Sequence, residues 1–108
     1  MNKSSTDIYG NTRWYVLGAP HRENGPAIIF ADGEKQWWLN GKLHRLDGPA
    51  VEFPTGTKVW YKNGRLHRDD GPAIEQDDGR QWFYIYGKEY THDEFIILQF
   101  FKGKIIHG

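Results

Sequence analysis

The sequence predicts a mainly β fold: a single-layer or curved antiparallel β-meander of 23-residue hairpin repeats with a C-terminal capping helix. Three observations lead to this prediction. A histidine-led phrase occurs at positions 21–27, 44–50 and 67–73, a constant step of 23 residues. Pairs of aromatic residues recur at the same step, and so do glycines at predicted turns. A fixed period of this length is typical of one small structural unit stacked on copies of itself.

Each unit contains two predicted strands. The first carries an aromatic pair, as in residues 34–39, and the second follows a Gly-Pro dipeptide, as in residues 50–53. Aromatic and β-branched residues favour the pleated, half-buried positions of a sheet. Dipeptides that tolerate positive φ predict tight turns of one kind between the strands. These dipeptides are Asn40-Gly41, Asn63-Gly64, Asp32-Gly33 and Asp78-Gly79.

Alternation along the strands predicts which side chains are buried. The predicted core column is Trp14, Trp37, Trp60 and Phe83. The neighbouring aromatic column, which we expect to be half-exposed, is Tyr15, Trp38, Tyr61 and Tyr84. Glu52 and Glu75 have the parity opposite to the apolar residues of their strands, so we expect them to face solvent.

The chain is predicted to be a single repeat domain, because its 108 residues leave no room for a second one. The predicted repeats span 10–32, 33–55, 56–78 and 79–90, and a C-terminal cap spans 91–108. Thr91 and Glu94 form a capping-box pattern, and Gly103 is a predicted C-cap, which gives about ten residues of helix. The alternative is a buried final strand, because residues 95–98 are an unbroken apolar run.

Composition excludes several classes of function. The 14 basic and 14 acidic residues give a net charge of zero, which argues against a nucleic-acid partner held through its phosphates. Cysteine is absent, and no apolar run approaches the roughly 20 residues that span a bilayer. The first seven residues are polar and unlike a secretory signal. We therefore expect a cytoplasmic protein, in a bacterial or host cytoplasm, with no membrane partner.

The candidate partner-binding residues are of two kinds. The half-exposed aromatic column offers anchors for a protein surface, and the histidine-arginine pairs offer contacts for phosphate or carboxylate groups. The candidates are Tyr15, Trp38, Tyr61, Tyr84, His44, Arg45, His67 and Arg68. The alternative is structural: each arginine lies two residues before an Asp or Asn that would lock the connector, and stacked aromatic side chains stabilise narrow sheets.

No catalytic residue, metal site or cofactor is predicted. The chain has no nucleophile elbow and no phosphate-binding glycine loop. Equivalent histidines of neighbouring units are expected to lie about 10 Å apart, too far for one metal ion. We therefore predict that the protein is not an enzyme.

Two sequence patterns resemble a known family. Residues 60–67 read aromatic-Tyr-x-Asn-Gly-Arg-x-His, and this pattern with its 23-residue step resembles MORN-type repeats, in particular those of YwqK-type antitoxins. The phrase at 44–50 is similar to a variant found in small phage and bacterial proteins. The resemblance covers roughly residues 10–90. It implies β-hairpin repeats that bind a protein.

These observations together predict a non-enzymatic protein-binding module. The resemblance implies a phage or bacterial inhibitor, or an antitoxin-like protein, that docks on a bacterial host or toxin protein. One alternative is a sequesterer of a nucleotide or cyclic nucleotide through the Arg, His and aromatic residues. A third hypothesis is a purely structural role, such as that of a virion component. The first hairpin, near Ile8-Tyr9, leaves an edge strand open to a second copy, which makes a homodimer a further hypothesis.

Overall fold

The structure, a computed structural model, describes the backbone of residues 3–107 and the side chains of residues 3–102. Short strands alternate with turns along most of this range, and a helix follows them. The elements are β1 (Lys3–Thr6), β2 (Thr12–Val16), β3 (Ala19–Pro20), β4 (Ile28–Ile29), β5 (Lys35–Gln36), β6 (Trp38–Leu39), β7 (Lys42–Leu43), β8 (Val51–Glu52), β9 (Lys58–Val59), β10 (Tyr61–Lys62), β11 (Arg65–Leu66), β12 (Ile74–Glu75), β13 (Gln81–Ile85), β14 (Lys88–Tyr90) and α1 (His92–His107).

The strands form one long antiparallel sheet with small hairpins beside it. The sheet order is β1-β2-β4-β5-β8-β9-β12-β13-β14, with β3 paired to β2. Two further hairpins, β6-β7 and β10-β11, are separate pairs. The molecule measures 53 × 32 × 19 Å and its radius of gyration is 16.0 Å, against about 13 Å for a compact domain of this length. The predicted mainly β meander with a capping helix is confirmed.

The predicted aromatic strand is continuous only at the two ends of the sheet, in β2 and β13. Elsewhere it divides at Trp37 and at Trp60. The N–H of Trp37 donates to the carbonyl of Ala50 at 2.7 Å, and the carbonyl of Trp37 accepts from the N–H of His44 at 3.0 Å. The chain thus passes from the long sheet to the local hairpin at this tryptophan. Trp14 makes the same two hydrogen bonds inside the continuous strand β2.

The Asn-Gly turns form as predicted. Asn40 and Gly41 have φ of 52° and 76°, and Asn63 and Gly64 have φ of 51° and 81°. Two consecutive residues with positive φ match the right-handed twist of the flanking strands. Leu17-Gly18 and Tyr86-Gly87 adopt the same conformation, with φ of 52° at Leu17 and 47° at Tyr86.

The prediction that the Asp-Gly dipeptides form turns of the same kind is wrong. At Asp32-Gly33 only the glycine has positive φ. The N–H of Gly33 donates to the carbonyl of Phe30 at 2.9 Å, and the Asp32 carboxylate accepts the N–H of Glu34 at 2.9 Å. Asp78 accepts the N–H of Arg80 in the same way, at 3.0 Å. The loop has three residues and needs only one left-handed position, which the glycine takes. The aspartate contributes its side chain, which accepts a backbone N–H of the turn.

The core is thin and consists largely of small side chains. Ala27, Ala50 and Ala73 are completely buried, and four larger apolar residues are nearly so. These four are Ile28, Val51, Phe83 and Phe95. The predicted core column is thus right for Phe83 and wrong for Trp14, Trp37 and Trp60, which are half-buried. In a sheet this narrow, the indole rings are covered by arginine side chains rather than by a second apolar layer.

The helix begins at the predicted capping box. The N–H of Thr91 donates to Oε1 of Glu94 at 2.8 Å, and the N–H of Glu94 donates to Oγ1 of Thr91 at 3.1 Å. Phe95 packs on Phe83 with ring centroids 4.8 Å apart, so the helix covers the last hairpin. The predicted end at Gly103 is wrong, since α1 continues to His107. A glycine inside a helix costs about 1 kcal/mol relative to alanine and does not by itself end the helix.

Much of the apolar surface of α1 faces solvent. Its exposed apolar residues are Ile96, Ile97, Leu98, Phe100 and Phe101. The structure places no helix, within the residues it describes, that has the length and apolar character needed to cross a membrane.

Candidate functional site

Each histidine-led phrase places its arginine over a tryptophan that lies eight residues earlier in the chain. The guanidinium carbon is 3.8 Å from the ring centroid in all three cases. The pairs are Arg22–Trp14, Arg45–Trp37 and Arg68–Trp60. A cation this close to an indole face is attracted by the ring quadrupole. The arginine therefore covers one face of each of these half-buried tryptophans.

The arginine also holds the connector that follows it. In Arg68 the guanidinium donates to the carbonyl of Pro72 at 3.2 Å and to Oδ1 of Asp70 at 3.0 Å, and it lies 3.4 Å from Oε2 of Glu75. Arg45 makes the corresponding contacts with the phrase and strand that follow it. Its partners are Pro49 at 3.0 Å, Asp47 at 3.2 Å and Glu52 at 3.2 Å.

These contacts decide two expectations from the sequence. The structural alternative, in which the arginine locks the connector through the aspartate two residues on, is present at Arg45 and Arg68. The expectation that Glu52 and Glu75 face open solvent is wrong. Both carboxylates are half-buried, because each is drawn to a stacked guanidinium.

The glycine of each phrase lies against the same guanidinium. A Cβ added at Gly71 would be 2.8 Å from Cζ of Arg68, and one added at Gly48 would be 2.9 Å from Cζ of Arg45. The corresponding distance at Gly25 is 3.2 Å. None of these three glycines has positive φ. They are required for the close approach of the arginine and not for an unusual backbone conformation.

Each histidine binds the turn of the following unit. Nδ1 accepts a backbone N–H 19 residues ahead, with distances of 2.8 to 2.9 Å. The pairs are His21–Asn40, His44–Asn63 and His67–Tyr86. Because Nδ1 is the acceptor, the hydrogen of the neutral ring resides on Nε2. The histidine is therefore a structural bridge with one remaining donor.

The remaining donor lies near a carboxylate in two of the three phrases. His67 is 5% exposed and its ring lies 4.1 Å from that of Tyr86. Its Nε2 is 3.1 Å from Oδ1 of Asp69, although the alignment is too poor for a hydrogen bond. In His21 the corresponding carboxylate, that of Glu23, is 3.6 Å away. Both contacts are electrostatic only.

Successive phrases enclose two open grooves along one edge of the molecule. The first groove, about 620 Å³, is lined by Arg22, Glu23, Asn24, Gly25, Trp37, Leu39, His44, Arg45, Leu46 and Asp47. The second groove, about 570 Å³, is lined by Arg45, Leu46, Asp47, Gly48, Pro49, Trp60, Tyr61, Lys62, His67, Arg68, Asp69 and Asp70. Leu46 lines both grooves and is 82% exposed.

The predicted site residues divide between the grooves and the rest of the sheet. Arg45, His67, Arg68 and Tyr61 line the second groove. His44 lines the first groove, and Arg45 lines it as well. Three of the half-buried aromatic residues line neither groove. These are Tyr15, Trp38 and Tyr84, whose role in partner binding stays a prediction.

Two of these aromatic side chains have polar partners of their own. Nε1–H of Trp38 donates to Oε1 of Gln36 at 2.9 Å, and the hydroxyl of Tyr84 donates to Oε1 of Glu89 at 3.4 Å. Burial, together with the negative charge of Glu89, raises the pKa of Tyr84. The phenol therefore remains a neutral donor at physiological pH.

Sequence reasoning missed Arg22 and Leu46 as groove residues and Trp14, Trp37 and Trp60 as the supports of the arginines. The missing signal was a constant offset: a tryptophan eight residues before each arginine, in all three copies of the phrase. A search for residue types that recur at a fixed distance from each other would have predicted the contact between arginine and tryptophan.

Among the side chains that the structure describes, no group of three or more His, Asp or Glu residues is placed to hold a metal ion. Comparison with family models, with curated proteins and with solved structures found no significant match to this chain.

Proposed function

We propose that the protein is a non-enzymatic binding module whose grooved edge docks on a partner protein. The observation that supports this most directly is the pair of equivalent open grooves, each near 600 Å³, that share the exposed side chain of Leu46. An exposed apolar residue between two grooves that carry charged side chains offers an apolar contact with charged groups around it, an arrangement that protein interfaces use.

The local hydrogen bonds favour a rigid docking surface. The arginines are held by stacking and by backbone carbonyls, and the histidines are held by the next turn. Side chains that are already ordered lose little conformational entropy when a partner binds. Aromatic neighbours such as Tyr61 in the second groove add contact area.

The nucleotide-sequestering alternative has less support. Arg45 and Arg68 already bind carboxylates within the chain, so a phosphate would have to displace Asp47 and Glu52 or their counterparts. The grooves are also open rather than enclosing, whereas small-molecule sites usually bury most of the ligand surface.

We further propose that the chain is a MORN-type, YwqK antitoxin-like repeat protein of phage or bacterial origin, acting in the cytoplasm as an inhibitor of a host or toxin protein. Support for this comes from the three copies of the phrase and their constant step in the sequence. The stacked contacts recur at the same step.

The test is a comparison of the wild-type protein with two surface variants in capture of proteins from the source cell. Leu46→Ser removes the exposed apolar side chain between the grooves. Leu17→Ser makes the same chemical change at a fully exposed position that lines neither groove. We expect a partner that is retained by the wild type and by Leu17→Ser and is lost with Leu46→Ser.

Retention of the same proteins by both variants would show that the grooved edge is not the docking surface. Tyr61→Ala, checked for an unchanged unfolding temperature, tests the second groove separately. Thermal stabilisation by a nucleotide, lost in Arg45→Ala, would instead favour the sequestering alternative.

A further inference from the structure

The two grooves differ in how many of their basic side chains have an acidic partner within the chain. In the second groove, Arg45 is paired with Asp47, and Nε2 of His67 lies beside Asp69. In the first groove the equivalent side chains are Arg22 and His44. Among residues 3–102, no carboxylate oxygen lies within 4.0 Å of a side-chain nitrogen of either one.

The difference comes from three positions in the sequence. Asn24 stands where the other phrases have Asp47 and Asp70, and Ile29 stands where the following strands have Glu52 and Glu75. Leu46 stands where the other phrases have Glu23 and Asp69, next to the histidine. Arg22 and His44 therefore lack the acids that accompany Arg45 and His67 in the second groove. The first groove also has Leu39 in place of Lys62 and Glu23 in place of Leu46.

The positions of Arg22 and His44 are nevertheless fixed. Arg22 stacks on Trp14 at 3.8 Å and donates to the carbonyl of Pro26 at 3.2 Å. This is the one hydrogen bond of its side chain among the described residues, and a guanidinium has five N–H donors. His44 accepts the N–H of Asn63 at 2.9 Å, which leaves its Nε2–H as a donor without a carboxylate. Both residues line the first groove.

We propose that the first groove binds a carboxylate side chain, from an acidic peptide segment of the partner protein, between the guanidinium of Arg22 and Nε2–H of His44. This inference rests on the proposed protein-binding function and names the chemistry of the partner. The bound Asp or Glu supplies the carboxylate that Arg22 and His44 lack within the described chain.

A carboxylate fits this groove better than a phosphate. The groove is also lined by Glu23, whose side chain is 73% exposed, and by Asp47, which is bound to Arg45. Arg22 is the one cation lining this groove, among the described residues, without a carboxylate partner, so the groove offers a full ion pair to one side-chain carboxylate and not to both charges of a phosphate dianion. The remaining cation, Arg45, is already shared between two carboxylates.

The experiment uses the full chain and a blocked hexaglutamate peptide, with blocked hexaglutamine as its neutral control. Binding is followed at low ionic strength by NMR of the arginine Nε–H and histidine ring signals. We expect saturable shifts at Arg22 and His44 with hexaglutamate, about threefold or more larger than the shifts at Arg68, since the Arg68 guanidinium is already paired. Hexaglutamine should produce no saturable shift.

A matched pair of variants tests the missing-acid argument. Asn24→Asp with Leu46→Asp gives the first groove the acids of the second, at two exposed positions. Asn24→Gln with Leu46→Asn changes the same positions without charge. We expect the affinity for hexaglutamate to be about threefold or more lower in the first variant than in the second. Their unfolding temperatures show whether both variants are folded.

Three results would overturn the proposal: equal shifts at Arg22 and Arg68, unchanged binding by the Asp variant, or tighter binding of inorganic phosphate than of hexaglutamate at Arg22. The outcome is separable from that of the docking test. Leu46-dependent capture without hexaglutamate binding rejects this inference alone, whereas hexaglutamate binding without Leu46-dependent capture rejects the docking surface alone.

Discussion

Substitution of Gly71 by alanine tests whether the stacked arginine stabilises the fold. A Cβ at this position would lie 2.8 Å from Cζ of Arg68, closer than side-chain atoms approach. The backbone of Gly71 does not need glycine, since its φ is not positive. The expected effect is therefore displacement of the guanidinium from Trp60 and from the connector.

The cost follows from the contacts that Arg68 would lose. The cation–π contact contributes about 1 kcal/mol, and the hydrogen bond to the carbonyl of Pro72 about 1 kcal/mol. The ion pairs add about 0.5 kcal/mol each or less, because Asp70 is 85% and Glu75 37% exposed in their side chains. Alanine recovers about 0.5–1 kcal/mol by restricting the unfolded chain. We expect a net loss of about 1–2.5 kcal/mol.

The assay is urea and thermal unfolding followed by circular dichroism, in a double-mutant cycle with Arg68→Ala. A loss of 1 kcal/mol lowers the unfolding temperature by about 4–8 °C in a domain of this size. In the Arg68→Ala background, Gly71→Ala should stabilise by about 0.5–1 kcal/mol, because no guanidinium is left to displace and only the effect on the unfolded chain remains. Additive losses in the double variant would refute the reasoning.

Three further predictions concern other parts of the fold. Leu17→Asn should stabilise the protein by about 1 kcal/mol in thermal unfolding, because φ at this exposed position is 52° and asparagine tolerates the left-handed region; an unchanged or lower unfolding temperature contradicts this. His44→Ala should speed amide hydrogen exchange at Asn63, whose N–H loses its acceptor, and leave Thr91 in the helix cap unaffected as the control. The backbone N–H of Arg80 lowers the pKa of Asp78. The stability that the Asp78 carboxylate contributes is therefore present above the ordinary carboxyl pKa and is lost as the pH falls through the lowered pKa. NMR titration of the carboxylate should show that lowered pKa. In Asp78→Asn, the unfolding temperature should fall less steeply as the pH is lowered into the acidic range.

Much of the fold follows from local sequence signals. The Asn-Gly turns and the capping box at Thr91 form as predicted because each depends on residues a few positions apart. The end of the helix does not follow from Gly103, because one glycine is a weak stop signal. The prediction for the Asp-Gly turns is wrong because a polar residue followed by glycine occurs both in two-residue turns and in three-residue loops. Nothing within the dipeptide distinguishes the two.

The burial pattern was harder to predict because it depends on contacts between distant residues. Strand parity predicts that the tryptophans lie in a core, whereas in the structure each one stacks against an arginine. Parity also places Glu52 toward solvent, whereas the guanidinium of Arg45 draws its carboxylate inward. Neither outcome is visible from alternation along one strand. The residues that differ between the grooves, such as Asn24 and Leu46, are visible in the sequence once the copies of the phrase are aligned.

The hydrogen bond from each turn to the preceding histidine joins residues only 19 positions apart. Contacts between neighbouring strands are similarly near in sequence, so each closes a short loop and folding can spread from any one of them. Additional copies of the segment would extend such a molecule along one axis only. Inserting one more copy of the 23-residue segment would lengthen the molecule by about 10 Å, the spacing of two strands, and leave its width and thickness unchanged.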